Sequence, residues 1–85
     1  MKKVDPIQYN LHSRVDLRQD KEGALFIVVD RKSRIIMKDG HRILEMVNTI
    51  SREDQSKKVS IRTSAPVCSK TKKFLLESGI VIKPL

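Results

Sequence analysis

Apolar residues cluster in the central part of the chain, and their spacing predicts two strands followed by a helix. Residues 24–29 form an unbroken apolar run that is rich in β-branched side chains and too short for a buried helix, so they predict an inner strand. Turn-forming residues 30–33 follow, and residues 34–38 predict the returning strand of a β-hairpin. After Asp39-Gly40, apolar residues at helical spacing predict an amphipathic helix packed on the hairpin: Ile43, Leu44, Val47 and Ile50.

The segment before this hairpin predicts one more strand. Apolar and polar side chains alternate within residues 11–20, which is typical of a half-buried antiparallel strand. A turn at residues 20–23, with a glycine suited to a positive φ, connects this strand to the hairpin. The first half is therefore predicted to be a three-stranded meander. Residues 1–10 show no periodicity, which predicts a flexible lead-in to a single domain at 11–85.

The second half predicts at least one further helix. A serine N-cap and a first-turn proline predict a helix over residues 65–78, with Gly79 at its C-terminal end. Residues 51–62 are compatible with either a helix or a short strand. They begin with a capping-box-like spacing, which favours a helix, and end with alternating apolar and polar residues, which favour a strand. The apolar tail 80–82 is predicted to pair with residues 59–61 or to cover the core. Together these elements predict a winged-helix-like α+β domain, a three-stranded antiparallel meander followed by two or three helices.

The charge of the chain indicates a negatively charged partner. There are 18 basic and 10 acidic residues, giving a net charge of +8. Ten of the basic residues lie in two windows that contain no acid, so one surface is predicted to be electropositive if the windows are neighbours in space. For any single lysine, solubility is the better explanation. The two windows contain Arg31, Lys32, Arg34 and Lys38, and Lys57, Lys58, Arg62, Lys70, Lys72 and Lys73.

The sequence offers little for catalysis. His12 and His41 lack partners at metal-ligand spacing, and Cys68 is the only cysteine, so neither a zinc site nor a disulfide is predicted. Cys68 is either a reactive thiol near a helix N-terminus or a small packing residue. No phosphate loop, dinucleotide fingerprint or nucleophile elbow is present. We therefore expect a protein that is not an enzyme and uses no cofactor.

Membrane insertion is also not expected from the sequence. The N-terminus has basic residues but no apolar segment behind them, and the longest apolar run has the six residues 24–29. A soluble, cytoplasmic protein is the prediction.

Two binding modes follow from the predicted elements. If residues 34–38 form the exposed edge of the meander, an extended acidic peptide can add to them as a further strand. Alternatively, the lysine-rich helix 65–78 is a candidate for the DNA major groove. Its outward residues include no Arg, Asn or Gln to read bases, so only non-specific phosphate binding is supported there.

The first half of the chain resembles a known family of peptide-binding proteins. The resemblance rests on a short set of residues: Tyr9, Leu11, His12, Val15, Leu17, Arg18, Gly23, Ala24 and Leu25. Over residues 9–50 the sequence resembles the peptide chaperone of mycofactocin biosynthesis and its relative, pyrroloquinoline quinone biosynthesis protein D. These are PqqD-like RiPP recognition elements, which assist the modification of ribosomally made peptides.

The resemblance implies a three-stranded sheet with three helices and no chemistry of its own. Such a protein binds the leader of a precursor peptide against its third strand, beside the last helix, and presents it to a radical S-adenosylmethionine maturase. Carried over by element, the implied peptide-binding residues are Arg34, Ile35, Ile36, Met37 and Lys38 on the strand, and Lys70, Lys73, Phe74 and Glu77 on the helix.

Three functional hypotheses follow. The first is a non-catalytic chaperone for a precursor peptide, working by strand addition, as a monomer or a homodimer. The second is a small basic winged-helix domain that binds nucleic acid. The third is a dimerisation module that pairs the predicted third strand with its own copy.

Overall fold

The fold is a single mixed β-sheet with helices on one face, and the computed structural model describes residues 1–85. The elements are β1 (Lys2–Val4), a 3-10 helix (Pro6–Tyr9), β2 (Asp16–Gln19), β3 (Leu25–Val29), α1 (Met37–Glu53), β4 (Val59–Thr63), α2 (Ser69–Glu77) and β5 (Ile82–Pro84). The five strands lie side by side in chain order, β1-β2-β3-β4-β5. The pairs β1–β2 and β2–β3 are antiparallel, whereas β3–β4 and β4–β5 are parallel and are connected through α1 and α2.

The core lies between the sheet and the helices. Alternate residues of β3 and β4 point to the helices, and Ile27 and Ile61 are paired neighbours in the register of these two strands. The helices supply the opposite half of the core. The opposite face of the sheet contributes nothing to this cluster, so the sheet has one helix-covered face and one open face. The buried core cluster is Tyr9, Leu11, Leu17, Leu25, Ile27, Ile35, Ile43, Ile50, Ile61, Ala65, Leu75 and Ile80.

The predicted fold class is confirmed in its coarse form and corrected in detail. The protein is α+β, but its sheet has five strands of mixed direction, not three antiparallel strands. Each parallel pair requires a crossover helix, and the two helices of the chain are used in this way. A winged-helix-like arrangement of a meander followed by helices is therefore wrong.

Residues 34–38 are not a strand, contrary to the prediction. Ile35 makes one isolated parallel bridge with Val67, and α1 already begins at Met37. The helix begins early because Asp39, in its first turn, accepts a hydrogen bond from the backbone N–H of Ile36 at 3.0 Å. The side chain of Arg31 also reaches Asp39, at 2.7 Å, and bonds to carbonyls within the loop. These contacts stabilise the loop as a helix start.

The first ten residues carry two elements of secondary structure that their sequence pattern does not predict. Strand β1 pairs with β2, so that β1 forms an edge of the sheet. The following 3-10 helix is capped by Asp5, whose carboxylate accepts from the backbone N–H of Ile7 at 3.0 Å. Tyr9 is buried in the core cluster. The short segment carries too few apolar residues for its periodicity to predict this role.

The structure decides the alternatives left open for residues 51–62. Helix α1 continues to Glu53, and Val59–Thr63 is strand β4. Both alternatives given for the apolar tail are found in part, since Ile82 lies opposite Ile61 in the sheet and Ile80 belongs to the core cluster. Helix α2 begins at Ser69, later than predicted, because residues 65–67 are used in the loop that bridges to Ile35. Gly79 follows α2 with a φ of +80°, as its sequence position predicts.

Gly40 is a point of close contact between α1 and α2. A Cβ at this position would lie 2.9 Å from Cγ2 of Thr71 and 3.5 Å from Cδ2 of Phe74. Thr71 is itself fully buried. The glycine that the sequence marks as a turn is therefore a packing residue inside a helix.

Asp39 gives a prediction about stability and pH. The hydrogen bond from Ile36, and then that from Arg31, lower the pKa of Asp39 below its usual value. Because the folded-state pKa is the lower one, this stabilisation is present above the unfolded pKa of about 4 and is lost as the pH falls through the folded pKa. Asp39→Asn should therefore lower the free energy of unfolding at neutral pH by about 1 to 2 kcal/mol, as measured by urea denaturation.

The same variant should differ little from wild type at low pH. Once Asp39 is protonated in both states, the charged hydrogen bonds no longer distinguish the two proteins. Glu45→Gln, at an exposed position of α1, is the matched control and should be neutral throughout. An equal loss of stability by Asp39→Asn at neutral and at acidic pH would contradict this assignment.

Candidate functional site

The candidate site is an open cavity of about 690 Å³. It lies where β2 begins and β3 ends, and one face of α1 forms its wall. Its floor is apolar and its rim is charged, which is the usual composition of a binding site. The lining residues are His12, Arg14, Val15, Asp16, Ile27, Val28, Val29, Asp30, Arg31, Ile35, Asp39, Arg42, Ile43 and Met46.

Two carboxylates of the rim come from neighbouring antiparallel strands. Asp16 begins β2 and lies opposite Val28 in the register, and Asp30 follows the end of β3. Arg18 holds Asp16 through two hydrogen bonds, Nε to Oδ1 at 3.1 Å and Nη2 to Oδ2 at 3.0 Å. Asp30 accepts a hydrogen bond from the hydroxyl of Ser64 at 2.6 Å. Asp16 is therefore compensated by a cation, whereas Asp30 forms no ion pair.

The charges of Asp16 and Asp30 affect the pKa of Arg18. The pKa of Arg18 is raised, first by its hydrogen bonds to Asp16, then by the charge of Asp16, and to a smaller extent by that of Asp30. Burial opposes this effect. Asp30 therefore contributes to the electrostatic environment of the Asp16–Arg18 pair.

The cationic side chains of the rim fall into two groups. Arg31 is committed to the loop before α1 through its ion pair with Asp39. Arg14 and Arg42 are exposed and take part in no ion pair. These two arginines are available to a phosphate or carboxylate at the mouth of the cavity.

The structure places part of each acid-free basic window in adjacent loops. The backbone N–H of Ile35 donates to Pro66, and that of Cys68 donates to Ile35, both at 2.9 Å. These bonds tie the loops that precede α1 and α2. Arg34 lies close enough to Cys68 to contribute to lowering the pKa of its thiol, after the larger effect of hydrogen bonds from the backbone of Thr71 and Lys70.

The residues implied as a peptide groove are placed differently from the prediction. Ile35 is buried, and Ile36, Met37 and Lys38 form the start of α1, so no exposed strand edge exists there. On α2, Lys73 forms an exposed ion pair with Glu77 at 3.9 Å, and Lys70 is exposed in the first turn. Phe74 packs at 4.7 Å against His41 of α1. The ring of Phe74 therefore joins the two helices.

The rim residues Arg14, Asp16, Asp30 and Arg42 were not identified as a site from the sequence. One signal was available, because Asp30 directly follows the apolar run at residues 24–29 and Asp16 lies in the strand predicted before it. The end of one strand lies beside the start of its antiparallel neighbour, so the two acids can share one end of the sheet. Arg42 carries no comparable signal, since its place beside the cavity depends on how α1 packs.

Two further properties bear on function. The chain contains no group of three or more His, Cys, Asp or Glu side chains placed to hold a metal ion. No helix is long and apolar enough to cross a membrane.

Comparison with known proteins identifies structural neighbours only. No family model matches the sequence, and no curated protein matches it. Three solved structures share the fold, with TM-scores of 0.68, 0.67 and 0.65. The first is a repair endonuclease from Pyrococcus abyssi, 20% identical over 87% of this chain. The others are EndoMS in its apo form, 17% identical over 82%, and an EndoMS complex with dsDNA, 22% identical over 99%.

The chain has the fold of one part of these endonucleases. It spans 33%, 33% and 36% of the three neighbouring chains, about a third of their length. At this level of identity the likeness concerns the fold alone.

The resemblance to pyrroloquinoline quinone biosynthesis protein D is wrong. The structural neighbours are DNA-repair endonucleases, and one of them is bound to double-stranded DNA. The sheet is also not the three-stranded meander that the resemblance implies. The function as a precursor-peptide chaperone, and the leader peptide and radical S-adenosylmethionine maturase as partners, are overturned with it.

Proposed function

We propose that this protein binds the phosphate backbone of duplex DNA at the rim of the cavity. The observation that carries the proposal is a pair of exposed, unpaired arginines that both line the cavity, Arg14 from the loop before β2 and Arg42 from α1. Guanidinium groups match phosphate geometry and are the common means of backbone contact.

Two further findings support the proposal. The net charge of +8 favours a polyanion as partner. One structural neighbour is named as a repair endonuclease, and the other two are EndoMS structures, one of them a complex with dsDNA. No base-reading element is proposed, so the expected binding is independent of sequence and strongly dependent on salt.

Fluorescence anisotropy with a labelled duplex tests this proposal. The logarithm of the binding constant should fall linearly with the logarithm of the salt concentration. Arg14→Ala combined with Arg42→Ala should weaken binding about tenfold or more and reduce the magnitude of that slope by about 2, since each lost phosphate contact contributes about 0.9.

The matched control removes the same charge elsewhere. Lys21→Ala combined with Arg52→Ala changes exposed residues in the β2–β3 turn and near the end of α1, and neither residue lines the cavity. We expect the control to keep nearly the wild-type slope. If the cavity variant and the control behave alike, the cavity rim is not the DNA contact.

A second candidate function is hydrolysis of the phosphodiester bond at the same site. Asp30 carries an uncompensated negative charge at the rim, and it would repel a phosphate unless a cation lies between them. Mg²⁺ is held in nucleotide sites by one or two carboxylates together with substrate phosphates and water.

The residues present fit an ion of this kind only when substrate is bound. Asp16 and Asp30 would hold it, and no third acidic ligand is grouped with them. The carboxylate of Asp16 accepts two hydrogen bonds from Arg18, and that of Asp30 accepts one from Ser64. Both carboxylates therefore have further lone pairs with which to bind a cation. A bound Mg²⁺ would act there as a Lewis acid on the phosphate and activate a water.

Adding Mg²⁺ separates the two candidates. If the ion bridges carboxylate and phosphate, Mg²⁺ should tighten duplex binding by wild type but not by Asp30→Asn. If cleaved DNA strands also appear after Mg²⁺ is added, the result supports hydrolysis. Tighter binding without products would support a binding domain, as expected from the absence of catalytic motifs in the sequence.

A further inference from the structure

The open face of the sheet carries a row of basic side chains that runs across the strands. Lys3 on β1 is the register partner of Arg18 on β2, and Arg62 on β4 is the partner of Lys83 on β5. We call these four residues, Lys3, Arg18, Arg62 and Lys83, the basic row. Adjacent strands are about 4.8 Å apart, so the row extends over about 19 Å from β1 to β5.

The apolar residues beneath the basic row are already covered. Phe26 and Val28 point to the open face, yet only 3% and 7% of their surface is exposed. The guanidinium carbon of Arg62 lies 4.8 Å from the ring centroid of Phe26, and Nζ of Lys83 lies 5.7 Å from it. Because the long side chains cover this ring, the open face presents charge rather than an apolar surface for another protein layer.

The charges of the basic row are largely free. Only Arg18 forms an ion pair, with Asp16, and the other three side chains have no acidic partner. The row is also continuous with the cavity, because Asp16 lines the cavity and is held by Arg18. A DNA backbone bound at the cavity mouth would therefore contact the basic row where the backbone leaves the cavity.

We infer that the basic row is a second contact surface for duplex DNA, which tracks the phosphate backbone from the cavity across the open face. This inference rests on the proposed function and deepens it. With one phosphate per about 3.4 Å of each strand, a row of about 19 Å spans roughly five nucleotides. Base stacking plays no part, because Phe26, the only aromatic residue on this face, is buried under Arg62 and Lys83.

Lys3→Gln combined with Lys83→Gln tests the inference. Both lysines are exposed and unpaired, so the fold should be retained, as urea denaturation would verify. In the duplex titration, the double variant should bind about tenfold more weakly and lose about 2 from the magnitude of the salt slope. Lys21→Gln combined with Arg52→Gln removes equal charge away from the row and should stay near wild type.

The outcomes separate this inference from the proposed function. If the row variant binds as tightly as the control while the cavity variant is weakened, the basic row is not a DNA contact and the cavity proposal stands. If wild type does not bind the duplex, both fail. Poly-L-glutamate serves as a competing acidic polypeptide. If the row variant loses binding to it but keeps wild-type affinity for DNA, the row serves an acidic protein and the inference is overturned.

Discussion

Ile61→Ala should lower the free energy of unfolding by about 2 to 5 kcal/mol, a large part of the about 5 to 15 kcal/mol available to a small domain. Ile61 is 1% exposed and lies on β4, between β3 and β5. Its replacement by alanine removes three carbon atoms at the centre of the core. The strands on both sides and the helices prevent neighbouring side chains from filling the space that these atoms leave. Urea denaturation followed by circular dichroism measures the loss.

Ser60→Ala is the matched control for this prediction. Ser60 is the adjacent residue of β4, points to the open face and makes no side-chain hydrogen bond. Its replacement should change stability by less than about 0.5 kcal/mol. Similar small effects at both positions would contradict a central β4 and would favour the three-stranded meander.

Gly40→Ala should also destabilise the protein, by about 1 to 3 kcal/mol, although alanine is the better helix former. In an open helix the substitution would gain up to about 1 kcal/mol. Here the new Cβ would lie 2.9 Å from Cγ2 of Thr71, which is fully buried and cannot move aside without disturbing the α1–α2 contact. The clash with Thr71 costs more free energy than the better helix propensity of alanine gains, so the substitution lowers the stability of the protein.

Thr71→Ser provides a direct check of that cause. It removes the methyl group that the new Cβ would meet and keeps the hydroxyl. In this background, Gly40→Ala should be nearly neutral or stabilising, so the double-mutant cycle should show a coupling of more than about 1 kcal/mol. Additive effects would mean that Gly40 is not the contact between the two helices.

The inner strands could be predicted from the sequence, whereas the start of α1 could not. The run at residues 24–29 predicts β3 because its composition and length allow few alternatives. The apolar tail takes part in a parallel pairing through Ile82, which lies opposite Ile61, and Ile80 of the same tail is buried in the core. The start of α1 was misplaced because Asp39-Gly40 has the composition of a turn. Its helical state depends on contacts with Arg31 and Thr71, which lie eight and more than thirty positions away.

The candidate site was harder to predict than the fold. Two of its acids mark strand ends, but their proximity requires the correct pairing of β2 and β3. The basic row depends on the order of all five strands, since its residues are scattered over the whole chain from Lys3 to Lys83. The sequence indicated a polyanion through its net charge, and the resemblance to a peptide-binding family directed that signal to the wrong partner.

The measurement that tests the central claim most directly is an NMR titration of the wild-type protein with a short duplex DNA at two salt concentrations. We predict saturable shifts at the cavity rim, including Arg14, Asp30 and Arg42, which weaken steeply as salt is raised. The outer side of α1, for example Asn48 and Arg52, should stay unchanged. Absence of saturable shifts at the rim, or shifts confined to the outer side of α1, would contradict the account.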